Sequence, residues 1–204
     1  DGEAAEVATA LSEQYQPRFA GDELPHTLTG ASIALADRLD TLVGIFGIGQ
    51  PPTGSKDPFA LRRAALGVLR MIVEKGFDLD LRECLRHAQQ QYAQLAAKTD
   101  LVDTVLDYMI ERFRAWYEDE KIPVEVFLAV SAKKLSKPLD INQRVQAVHR
   151  FAQLPEAQAL AAANKRVSNI LAKSGDTELP ALQTTLLTES AEKELAAQVG
   201  ELQN

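Results

Sequence analysis

Apolar residues recur every three or four positions along most of the chain, and this period limits what it can fold into more than any other feature. In "TGASIALADRLDTLVGIFGI" the stripe runs Ile33, Leu35, Ala36, Leu39, Leu42, Val43 and Phe46, with Asp37, Arg38 and Asp40 mostly on the opposite face. In "FALRRAALGVLRMI" it runs Leu61, Ala65, Leu66, Leu69 and Ile72. Punctuation agrees with the period. Asp57-Pro58 reads as a helix start, a capping carboxylate followed by proline in the first turn, and Gly76 as its stop. Asp80, then Thr99 or Asp100, then Asp140 are expected caps, and Pro123 and Pro155 are expected helix openers, the latter helix ending at Gly175. "GEAAEVATALSEQY", "ALQTTLL" and "SAEKELAAQVGELQ" add short helical segments at the two ends. Sustained alternation with β-branched enrichment is missing. The expected fold is all-α, an irregular array of about nine helices in two consecutive helical regions.

The loop "GIFGIGQPPTGSKDPFALRR" interrupts this pattern. A phosphate cradle would need a lysine and then a hydroxyl after its last glycine, but Gly54 is followed by Ser55 and then Lys56. Pro51 and Pro52 remove two backbone N–H donors, and the preceding segment is helical rather than a strand. Gly44, Gly47 and Gly49 also miss the dinucleotide spacing. The loop is expected to be a rigid joint: Gly47 and Gly49 give a tight helix exit, Pro51-Pro52 an extended path, and Asp57-Pro58 a restart. It would leave Arg62, Arg63 and Arg70 reaching outward or pairing with Asp37 and Asp40.

The net charge is −7, but it is unevenly spread. Residues 129–173 hold eight bases (Lys133, Lys134, Lys137, Arg144, Arg150, Lys165, Arg166, Lys173) against Asp140 and Glu156. A basic island in an acidic chain is a candidate polyanion footprint; the alternative is a solvated helix face with balanced neighbours.

Other chemistry finds little support. Cys84 is the lone cysteine, which excludes an internal disulfide and a zinc cluster and suggests a reducing compartment. Apolar runs fall short of the roughly 20 residues that cross a bilayer. The acidic start "DGEAAEVATA" has no secretory pattern and no initiating Met, as expected of a piece of a longer cytoplasmic chain. No Ser/His/Asp or Cys/His pairing has plausible helical spacing. Asp37 and Asp40 are expected to make structural ion pairs with Arg38, Lys56 or Arg62. Phe113, Trp116 and Tyr117 sit at helical spacing and are expected in the core, with base stacking as the lesser alternative.

The run "ALADRLDTLVGIFGIGQPPTGSKDPFALRRAALGVLRMIVEKG" resembles the β-subunit family of the bacterial heterotetrameric glycyl-tRNA synthetase. "ERFRAWYEDEKIPVEVFLAV" and "RVQAVHRFAQLPEAQALAAANKRVSNILAK" continue the resemblance in order over nearly the whole chain. The resemblance implies two regions: residues 1–122, the C-terminal part of an HD-like helical domain with linker helices, and 123–204, the beginning of a DALR-type anticodon-binding domain. It implies an α-subunit partner in a heterotetramer of two α and two β chains, and glycine tRNA as substrate. ATP and Mg²⁺ would be used by the α subunit and no cofactor by this stretch. Neither membrane nor DNA is an expected partner.

An HD-type metal site needs a His-Asp pair, and His26, His87 and His149 are all isolated from one, although Asp37 resembles the family's later Asp. No catalytic or metal-ligating residue is therefore expected here. The residues expected to meet RNA are Lys133, Lys134, Arg144, Lys165, Arg166, Asn169 and Lys173. Lys56, Arg62 and Arg63 are expected on the acceptor side of the tRNA or at a subunit interface. Each has a bland alternative: Arg166 paired with Glu156 or Asp140, Lys133 and Lys134 merely solubilising an edge. The competing function class is a helical protein-interaction scaffold that does not bind RNA.

Overall fold

The computed structural model describes residues 2–95, 98–174 and 182–202. Its helices, in order, are α1 (Ala5–Glu13), α2 (Leu28–Gly47), α3 (Leu61–Glu74), α4 (Leu81–Gln90), α5 (Leu101–Ile110), α6 (Arg112–Asp119), α7 (Val124–Ser131), α8 (Pro138–Ala152), α9 (Pro155–Ser174) and α10 (Ser190–Leu202). Short 3-10 turns lie at Ala93–Leu95 and Thr184–Leu186. The one β pairing among the described residues is an isolated bridge between Thr53 and Lys56, so the expected all-α class holds.

The chain divides into two compact units, residues 1–154 and 155–204. In the first, α2 is the central helix, packed by α1, α3, α4 and α5, while α3 also meets α6 and α8. Leu42, Leu69, Ile72, Leu85 and Met109 are fully enclosed, and burying each contributes about 1.5–3 kcal/mol. Phe127 of α7 and Val145 of α8 belong to this same core. The family boundary expected at 122/123 thus falls inside the first packing unit. Phe113 and Tyr117 stack within that core at 5.2 Å, and the Tyr117 hydroxyl donates to Asn142 at 3.1 Å. Burial pushes the Tyr117 phenol well above its usual pKa.

Polar contacts set the helix ends. Glu13, buried at the end of α1, accepts the backbone N–H groups of His26 (2.8 Å) and Thr27, and the Thr27 hydroxyl as well. Thr27 in turn caps α2 by accepting Gly30 N–H at 2.9 Å. Asp80 caps α4 through Arg82 N–H (2.9 Å), as expected, and its other oxygen accepts the Ser136 hydroxyl, tying α4 to the approach to α8. Buried Gln89 donates to the carbonyls of Leu95 (2.7 Å) and Lys98 (2.8 Å), closing the chain after α4.

Several expectations need correction. Arg38 is not on the outer face of α2. It is 9% exposed, and its guanidinium donates to the carbonyls of Gln14, Tyr15, Ala34 and Pro17. Ile33 and Ala36 are exposed instead, because the buried stripe follows 31, 34/35, 38/39 and 42/43. Leu66 of α3 is only half-buried, and Val68 and Met71 take the enclosed places beside the expected stripe. Helix α3 begins at Leu61 rather than Pro58, after Ala60 in the left-handed region (φ 54°). Asp57 still acts as the cap, reaching forward to the N–H groups of Leu61 (2.8 Å) and Arg62 (3.0 Å). Asp140 does not cap α8, whose first residue is Pro138; it lies in the first turn and binds Arg144 at 2.9 Å. Asp100 precedes α5 without a side-chain cap bond, and the expected helix over 101–120 is interrupted at Glu111. The expected stop at Gly175 lies outside the described residues.

The glycine-rich joint is closed by its own backbone hydrogen bonds, with Gly49 in the role expected of it. At φ +77° it ends α2, with Gly49 N–H on the Phe46 carbonyl and Gln50 N–H on that of Ile45. Gly47 has a different reason to be glycine. It is the last residue of α2, where a Cβ would come within 2.2 Å of Leu95 Cδ1. Thr53 and Lys56 exchange backbone hydrogen bonds at 3.0 and 2.8 Å, so those N–H groups are already spent within the turn. The Arg62 guanidinium binds the Gly54 carbonyl, and Lys98 Nζ binds the Gly47 carbonyl at 2.5 Å.

Candidate nucleic-acid interface

In the second unit the candidate basic residues are carried by α9. The segment "EAQALAAANKR" is rich in alanine, the best helix former, so the helix needs little burial to persist. Most of its described side chains are exposed, Ala157 being the buried exception. Helical spacing then aligns Lys165, Asn169 and Lys173 at steps of four, with Arg166 alongside. Together with Ala162 and Ile170 they border one shallow concavity. From Lys165 to Lys173 the row extends about 12 Å along the axis. Among the described residues none of Lys165, Arg166 and Lys173 is ion-paired, so the pairing of Arg166 with Glu156 is not observed. Three cations and an amide on one exposed face can neutralise phosphates and displace counterions. Leu160, Val167 and Ile170 leave apolar surface exposed on the same helix.

The other half of the basic island is arranged differently. Lys133 and Lys134 follow the end of α7, Lys134 at φ 53° and with Asp107 at 3.9 Å. Lys137 binds Asp78 at 3.0 Å, and Arg144 binds Asp140 through both carboxylate oxygens. Lys133 is exposed and unpaired among the described residues. The run 129–173 that reads as one island therefore spans two packing units, and within the first unit most of its bases face carboxylates.

Lys56 sits in the tight turn of the joint, exposed. Arg62 and Arg63 lie on α3 at the edge of a groove in the first unit. Neither pairs with Asp37 or Asp40: Arg63 donates to the Arg18 carbonyl at 3.1 Å, and Arg70 binds Glu74 at 2.7 Å. Asp40 accepts the Tyr92 hydroxyl at 2.7 Å, and this hydrogen bond raises the Tyr92 pKa. Arg70, Arg112 and Phe19 share the groove and were not among the residues expected to meet RNA; Trp116, for which base stacking was the lesser alternative, lies there with them. The i, i+4 spacing of Arg112 and Trp116 was a usable signal, but their meeting with α3 is tertiary. Trp116 is only half-buried, whereas Phe113 and Tyr117 take the expected core places.

Among the described residues no group of three or more His, Cys, Asp and Glu side chains is placed to hold a metal ion. Cys84 is half-buried, and burial pushes its thiol pKa up, away from a reactive thiolate. No helix among the described residues is long and apolar enough to cross a membrane.

The glycyl-tRNA synthetase beta subunit family profile matches residues 1–132. The chain is 61% identical over 198 residues to the glycine–tRNA ligase beta subunit of Pseudomonas aeruginosa (strain LESB58), covering 97% of this chain and 29% of that protein. It is 59% identical over 196 residues to the corresponding subunit of Hahella chejuensis, covering 96% and 28%. With that of Pasteurella multocida it shares 58% over 204 residues, covering 100% and 30%. The chain thus spans less than a third of the length of these relatives. By the family profile over residues 1–132 and by this identity along nearly all of its length, the chain belongs to the glycyl-tRNA synthetase beta subunit family.

Proposed function

We propose that this chain is a tRNA-gripping portion of a glycine–tRNA ligase beta subunit. In this reading it supports ATP-dependent attachment of glycine to its tRNA in the cytoplasm. The chemistry, with glycine, ATP and Mg²⁺, belongs to an α subunit in a heterotetramer of two α and two β chains. The glycine-rich joint does not suit a triphosphate: it lacks N–H groups at Pro51 and Pro52 and uses those of Thr53 and Lys56 internally. The observation that carries the reading is the row Lys165, Arg166, Asn169 and Lys173, exposed and clear of carboxylate partners among the described residues, in a chain of this family. Guanidinium and ammonium groups held this way bind a sugar–phosphate strand by charge and, for Arg166, bidentate hydrogen bonds.

The test is Lys165→Glu with Arg166→Glu in the full-length beta subunit assembled with its α partner. Glycine tRNA should bind at least tenfold more weakly, with KM for tRNA raised and helicity unchanged. Unaltered tRNA affinity would remove α9 as the contact. If an acidic protein surface binds the row and tRNA does not, the interaction-scaffold reading replaces this one.

A further inference from the structure

A groove of about 780 Å³ lies in the first unit between α3 and α6. Leu66, Ala115 and Ala20 give it an apolar lining, and Phe19, 57% exposed, and the half-buried Trp116 present ring surface. Three guanidiniums border it without a carboxylate partner among the described residues. Arg62 is held by the Gly54 carbonyl and Arg63 by that of Arg18. Arg112 lies over the Tyr108 ring at 5.0 Å, and its Nε is buried with no hydrogen-bond partner.

The acids nearby are largely engaged. Glu74 is bound by Arg70 at 2.7 Å, and Glu120 accepts the Trp116 indole N–H at 2.5 Å, which holds that ring in place. Asp119 remains at the edge. Anion donors beside two aromatic surfaces and an apolar lining match a phosphate joined to a planar base. A base still stacked in a duplex could not enter; an unpaired one could. An acidic peptide would engage the arginines but leave the rings unused.

We propose that this groove receives one unpaired nucleotide of the RNA, its phosphate met by Arg62, Arg63 and Arg112 and its base lying against Phe19 or Trp116. This rests on the tRNA reading above and adds a second contact, in a different packing unit from α9.

The experiment uses the full-length beta subunit assembled with its α partner and glycine tRNA. Arg63→Glu combined with Arg112→Gln should weaken tRNA binding about tenfold, and Phe19→Ser, at an exposed position, about fivefold. Circular dichroism checks that the variants are folded. A benzophenone side chain placed at Phe19 should crosslink to a loop or single-stranded end of the tRNA, and a short oligoribonucleotide should suppress this crosslink. If the α9 variant loses tRNA while the groove variants bind normally and the crosslink falls in a duplex stem or fails, the groove proposal is overturned and the tRNA reading stands. If the unaltered enzyme binds no tRNA through either unit, both fall. Suppression of the crosslink by polyglutamate but not by oligoribonucleotide makes the groove a protein-docking site and overturns the proposal.

Discussion

The buried guanidinium of Arg38 donates to the carbonyl oxygen of Tyr15 at 3.0 Å, so the middle of α2 holds the chain that leaves α1. Further bonds to the carbonyls of Gln14 and Pro17 make Arg38 the polar clasp of this corner. Burial lowers its pKa and Asp37 opposes that shift. Arg38→Met fills similar space but leaves buried carbonyl oxygens unpaired, and should cost about 2–4 kcal/mol. Arg38→Lys should recover only part of this, since one ammonium cannot reproduce the planar fork. Urea unfolding of both variants checks the order.

Gly47→Ala should destabilise the first unit by about 1–3 kcal/mol, because its new methyl meets Leu95 rather than open space. Adding Leu95→Ala should make the pair less damaging than the sum of the two single changes. A double-mutant cycle measures the coupling, and strict additivity would show that the close approach carries no energy.

Acid should loosen the α1–α2 corner. Hydrogen bonding, the Thr27 hydroxyl foremost, lowers the Glu13 pKa, and Arg18 holds Asp22 well below the usual carboxylate range. Each carboxyl binds its proton less tightly folded than unfolded. Its stabilisation is therefore fully present above the ordinary carboxylate range and is lost as pH falls through the lowered folded value. Glu13→Gln should be less stable than the unaltered chain at pH 7, with the gap narrowing toward pH 3, as thermal melts across pH would record.

Salt should report the phosphate contacts of α9. In the assembled enzyme, Lys165, Arg166 and Lys173 changed together to alanine should reduce the log–log salt slope of tRNA binding by about two. An unchanged slope would mean that these side chains touch no phosphate.

Periodicity and punctuation in the chain were enough for an all-helical fold, for the Asp80 cap, for the Pro155 start and for the core places of Phe113 and Tyr117. They sufficed because helix formation and capping depend on neighbours a few residues away. The shared face of Lys165, Asn169 and Lys173 was legible for the same reason. Arg38 was misplaced because a charged side chain reads as outward until the carbonyls of residues 14–17 are known to surround it. Asp140 was misread because Pro138 starts α8 earlier and Arg144 claims its carboxylate. The apparent unity of the 129–173 island failed because charge counted along a chain ignores where packing divides it. The groove of Arg62, Arg63, Arg112 and Trp116 was invisible for a related reason: α3 and α6 are about forty residues apart in the chain and meet only when both bury their apolar faces in one core. Local spacing chose the helices and their faces; the burial of those faces against distant partners decided which charges were enclosed, which were neutralised and which stayed available.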